Sequence, residues 1–66
     1  MFTITMHKHH NPPYVRKIAG RDQAIAAAEV LTRVGDGDTI RVHDREGKII
    51  SQFIRDPRSG MWQKGF

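Results

Sequence analysis

Two signals placed back to back constrain this chain more than anything else in it. An alanine-rich helical pattern runs from Asp22 to Val34 and stops at Gly35-Asp36-Gly37; two strand patterns then flank Asp44-Arg45-Glu46-Gly47. A helix buries one stripe and a half-solvated sheet buries one face, so two such elements in succession cover each other. The expected class is α+β, one helix packed on a small antiparallel sheet.

Each local cue in the helix agrees with its neighbours. Gly20 is a permissive N-cap, Asp22 places negative charge in the first turn, and Gln23 falls three residues after the cap. Ala24, Ala27, Ala28, Leu31 and Val34 recur at helical spacing, flanked by Ile25 and Val30. Glu29 stands four residues before Arg33, the favourable order for a surface pair. Gly35 suits the left-handed position that ends a helix. Three alanines on one stripe imply a close helix–sheet approach rather than a cofactor groove.

In the hairpin, Thr39, Arg41 and His43 alternate with Ile40 and Val42. Asp44 first and Gly47 last mark a type I turn closed by a left-handed glycine. That turn sets Lys48 against Asp44, Ile50 against Val42 and Gln52 against Ile40. The outer face then holds Arg41 beside Ser51, His43 beside Ile49 and Thr39 beside Phe53. A two-residue loop would instead set Val42 against Ile49 and invert the return strand, because strand side chains alternate with period two. The choice decides whether Phe53 is core or exposed platform.

The flanks extend the sheet. Phe2, Ile4 and Met6 alternate with Thr3 and Thr5, the pattern of a strand with one buried face. His7-Lys8-His9-His10-Asn11-Pro12-Pro13 ends it, since prolines cannot donate to a ladder. Tyr14-Val15-Arg16-Lys17-Ile18 reads as a second strand at a sheet edge, its two cations discouraging edge-to-edge pairing. Asp56-Pro57-Arg58-Ser59-Gly60 is a further turn, after which Met61-Trp62-Gln63-Lys64 returns as a short last strand. The order is therefore β-β-α-β-β with a short C-terminal strand, in one domain spanning residues 1–66. The expected core is Ile4, Leu31, Val34, Ile40, Val42 and Ile50.

Composition excludes several classes. A chain of 66 residues hides only ~60% of its unfolded surface. Without cysteine it has neither a disulfide framework nor a thiolate zinc site. No apolar run approaches the ~20 residues of a spanning helix. The first six residues are too short and polar for a signal peptide. The expectation is a cytoplasmic protein with no membrane partner. Eleven Lys and Arg against seven Asp and Glu give a formal net charge of +4, a balance that attracts polyanions.

The strand, strand, helix, hairpin order carries the helix Gln23-Ala24-Ile25-Ala26-Ala27-Ala28-Glu29. Its hairpin tip is Val42-His43-Asp44-Arg45-Glu46-Gly47-Lys48-Ile49. Over about residues 14–54 this layout resembles a family of small bacterial and phage proteins of unknown function. The resemblance implies the β-β-α-β-β fold and, because that family has no established activity, implies no site. The histidine-rich loop and the Trp62 tail have no counterpart in it.

For chemistry, His7, His9 and His10 are the candidate metal ligands. His7 and His9, two apart, point the same way on an extended backbone, and His43 or Asp44 would join them if the strand ends met. Their spacing matches no zinc-finger pattern, and a solvated loop is the preferred reading. Ser51, His43 and Asp44 can be written as a triad, but no nucleophile turn or oxyanion hole surrounds Ser51. Gly35-Asp36-Gly37 follows its helix and lacks the lysine of a phosphate loop. The sequence thus reads as non-enzymatic, with no cofactor.

Two functions remain. As a nucleic-acid or polyanion binder, the chain would use Arg41, Ser51 and Phe53 on the outer sheet face, with Arg16, Arg55, Arg58, Tyr14 and Trp62 nearby. As a protein-interaction module, for example a small phage-type inhibitor or adaptor, it would dock the same face and tail onto an acidic protein surface or onto a second copy as a homodimer.

Overall fold

The computed structural model of the protein describes residues 1–8, 12–34 and 37–65, with Val34 described by its backbone alone. Its elements are β1 (Phe2–His7), β2 (Tyr14–Ile18), α1 (Arg21–Val34), β3 (Thr39–His43), β4 (Ile49–Arg55) and β5 (Trp62–Lys64). The strands form one sheet in the order β2-β1-β3-β4-β5, antiparallel at every pairing. The α+β class and the expected element order are therefore present, with β2 at one edge and the short β5 at the other.

Connectivity explains why the helix covers a single face. β2 and β3 both run antiparallel to β1, which lies between them, so they are parallel to each other. Parallel strands need a crossover, and α1 supplies it by passing over β1. It packs on β1, β2 and β3. β4 and β5 return through short turns, so no second crossover covers the other side of the sheet.

Local chemistry fixes the helix. The Ala24 amide donates to the Gly20 carbonyl at 3.0 Å, making Gly20 the cap, and the Gln23 carboxamide folds back over Gly20. Ala24 and Ala28 are fully buried, while Ala27 and Leu31 pack at the margin. With only methyl groups between them, the backbones approach closely and Ile4, Ile40 and Val42 are sealed beneath at 0% exposure. Each such side chain contributes about 1.5–3 kcal/mol relative to an exposed one. Met6 and Phe53 complete the core. Leu31 and Ile50, expected at its centre, lie half-buried at its edge. The Val34 side chain, the Gly35 cap, Asp36, His9, His10, Asn11 and Phe66 lie outside the described residues.

Aspartate-led, glycine-ended turns join the last three strands. Asp44 Oδ1 accepts the amides of Glu46 and Lys48, each at 2.9 Å, and Gly47 takes φ 86°. Asp56 Oδ1 accepts the Arg58 amide at 2.9 Å, and Gly60 takes φ 73°. Asn, Asp and Gly occupy such positions because the carboxylate or carboxamide substitutes for backbone partners and glycine tolerates positive φ.

The β3–β4 register corrects the expectation from sequence. His43 pairs with Ile49 as the turn requires, but Val42 pairs with Ser51, Arg41 with Gln52 and Ile40 with Phe53. Ile50 is the extra residue of a bulge. Beyond it, every β4 side chain occupies the face opposite to the one expected. The unbulged register would bury Gln52 and expose Phe53. Burying the aromatic ring instead removes far more apolar surface and keeps a carboxamide hydrated. The consequence is that Ser51 turns inward, 1% exposed, with its hydroxyl lacking any hydrogen-bond partner.

Candidate polyanion-binding face

The face away from α1 is assembled from alternate residues of all five strands, in three cross-strand rows. One row holds Lys17, Thr3, His43 and Ile49; the next holds Val15, Thr5, Arg41 and Gln52; the last holds His7, Thr39, Ile54 and Gln63. Neighbouring strands lie ~4.8 Å apart, and alternate residues along a strand ~6.8 Å apart. The cationic and hydroxyl groups therefore form a patch three strands wide, across β2, β1 and β3.

Arg41 stands in the middle row. Its Nε donates to Gln52 Oε1 at 2.9 Å, which fixes the plane of the guanidinium. That bond leaves uncommitted the two terminal nitrogens, the pair that grips a phosphate or carboxylate in fork geometry. His43, one row away, lies 3.3 Å from the Gly47 carbonyl through Nδ1 and 3.3 Å from Thr5 Oγ1 through Nε2. Only a protonated Nδ1 makes the first of these bonds, so Nδ1–H donates to Gly47 and the ring is held across the sheet.

The distribution of charge is lopsided. Among the described residues no strand carries a carboxylate, whereas the strands hold Arg16, Lys17, Arg41, Arg55 and Lys64. Asp22 and Glu29 are in α1 on the far side, Asp38 precedes β3, and Asp44, Glu46 and Asp56 sit in turns. The two turn aspartates are already engaged with backbone amides. The open face thus has Lys17, Arg41 and two imidazoles and no acid in any row.

Of the residues anticipated for binding, Arg41 alone lies on this face. Phe53 is in the core at 7% exposure. Ser51 is turned inward with it. Arg16 pairs with Ile4 and so sits on the helix side of the exposed β2 edge; Tyr14, paired with Met6, does the same. Arg55 and Trp62 face each other across β4 and β5 on the helix side. The Arg55 guanidinium lies against Gly60, and Trp62 packs on the core. Arg58 is in the β4–β5 turn. Lys17, Thr3, Thr5 and Gln52 were not anticipated. The two-strand pairing that aims Lys17 outward has no sequence signal, since Tyr14–Ile18 alternates poorly, and Gln52 was hidden by the bulge.

The histidines do not converge. His43 pairs with Thr3, four residues before His7 on β1, which sets the two about 14 Å apart along the strand direction at ~3.4 Å per residue. His43 and Asp44 are therefore not partners for a metal held by His7. No group of three or more His, Cys, Asp or Glu that could hold a metal occurs among the described residues. An open cleft of about 330 Å³ lies between Phe2 and the β3–β4 turn residues Asp44, Arg45 and Glu46. Its Asp44 carboxylate is the one that organises the turn. No helix among the described residues is long and apolar enough to cross a membrane.

No family, curated protein or solved structure matches this chain.

Proposed function

We propose that the protein is a non-enzymatic binding module whose open sheet face holds a polyanion, nucleic acid above all. One observation carries the reading: a sheet face with Arg41 and Lys17 among hydroxyl and carboxamide groups, from which carboxylates are excluded in every row. Such groups donate to phosphate oxygens, and a face without acids leaves the attraction uncancelled. Rigid strands position these side chains, with the Arg41 fork already oriented by Gln52.

Binding of labelled nucleic acid, followed by anisotropy across a salt series, tests this. Affinity falls steeply with salt where phosphates are bound. Arg41→Glu weakens binding by at least about tenfold, the scale on which a charge-assisted hydrogen bond gives way to repulsion. Arg21→Glu makes the same change in net charge at the start of α1, outside the three rows, and weakens binding less than Arg41→Glu does, since it removes no contact made on the face. Equal weakening in the two variants, or no binding by the wild type at low salt, would refute the proposal. The second outcome favours a protein partner instead, for which Val15 and Ile54, 53% and 45% exposed on the same face, supply apolar surface.

A further inference from the structure

Resting on that reading, we infer that the open face is built for the phosphate backbone of a duplex and not for the bases of a single strand. Proteins that hold single strands on a sheet do so by stacking bases on aromatic side chains placed among the cations. Here the aromatic residues and the cations of the open face are on opposite sides. Phe2 shares the core face with Ile4, Tyr14 pairs with Met6, Phe53 is buried, and Trp62 packs against the core from β5. These four are the aromatic side chains among the described residues, and none is in an outward row.

The rings that do face outward are the two imidazoles. His43 is held at both nitrogens by Gly47 and Thr5, and His7 lies two rows away at the other end of β1. They are too far apart to take successive bases of one strand. Beside the exposed Val15 and Ile54, the rows offer a guanidinium fork, an ammonium, hydroxyls and carboxamides, polar groups that bond phosphate and sugar oxygens without reading sequence. A ligand held only through phosphates binds best where phosphates are densest. A duplex presents one charge per ~1.7 Å of axis, about twice the density of either strand, and its counterion release per neutralised phosphate is larger. Duplex preference and indifference to sequence follow together from the absence of Phe, Tyr and Trp, among the described residues, from the outward rows.

The test uses the full chain with a duplex of about two helical turns, ~20 base pairs, one of its separated strands, and a second duplex of unrelated sequence. The duplex is expected to bind at least about fivefold tighter than the strand, and the two duplexes within about twofold of each other. Trp62, the single tryptophan, sits on the helix side, so its fluorescence is expected to stay unchanged on saturation. Arg41→Gln lowers the salt slope by about one unit. Lys17→Gln, on the exposed β2 edge where folding is not at stake, does the same. A single strand that binds as tightly as the duplex, or that quenches Trp62, overturns the duplex assignment while leaving polyanion binding in place. Failure of every nucleic acid to bind at low salt, by a protein with an unaltered circular dichroism spectrum, overturns both.

Discussion

Replacing Ser51 by alanine is expected to stabilise the protein, and the sign of the effect tests the bulged register directly. The Ser51 hydroxyl is 1% exposed, opposite the fully buried Val42, and has no hydrogen-bond partner. An unsatisfied buried polar group costs about 1–3 kcal/mol of desolvation that nothing offsets. Removing the oxygen relieves that penalty and forfeits a few dispersion interactions, each ~0.1–0.2 kcal/mol. A net gain of about 1 kcal/mol remains. For a domain of this size it raises the melting temperature by ~4–8 °C. Thermal melts by circular dichroism, with urea titration to check that the denaturant slope is unchanged, measure it. Without the bulge, Ser51 would stand on the solvated face, where substitutions stay within about ±0.5 kcal/mol. A neutral or destabilising Ser51→Ala would therefore refute both the inward placement of Ser51 and the core placement of Phe53 that depends on it. Nucleic-acid binding is expected to be unaffected, because Ser51 faces the helix.

The remaining predictions concern the turn and the histidines. Gly47→Ala is expected to cost about 1–2 kcal/mol through left-handed backbone strain alone, since a Cβ at φ 86° meets nothing within 4 Å; a D-alanine at that position, made by chemical synthesis, should melt no lower than the wild type. Zinc or nickel is expected to leave the melting temperature unchanged, because only a ligand preferring the folded form raises it; a saturable rise at micromolar metal, abolished by His7→Ala, would establish a site around the His7 loop.

Most of the architecture was legible because it is written in local chemistry. Gly20 and Gln23 start the helix, Asp44 with Gly47 and Asp56 with Gly60 close the turns, and alternation in Phe2–Met6 and Thr39–His43 names the inward residues. The bulge was not legible, because it reconciles two competing demands at a distance. The turn wants Lys48 opposite Asp44, and the core wants Phe53 over Gln52; Ile50 satisfies both by standing out of register. The candidate site inherited that error. Arg41 could be placed outward from Ile40 and Val42 alone, whereas Gln52, Ser51 and Phe53 all changed face. Lys17 needed the pairing of β2 with β1, two elements whose connection is a proline-containing loop with no turn signature.

The placement of carboxylates in turns has a consequence for how such a chain can change. Aspartate serves as an instruction for reversing direction, read by the amides of Glu46, Lys48 and Arg58. Glycine supplies the matching punctuation, and the inward strand positions specify the core. The outward strand positions carry almost none of this information. Folding and the proposed recognition are thus encoded in separate alphabets on the same backbone. Residues such as Thr3, Lys17, Thr39 and Gln63 can be rewritten without disturbing the text that tells the chain how to fold, so a lineage, or an engineer, can exchange the partner while keeping the protein.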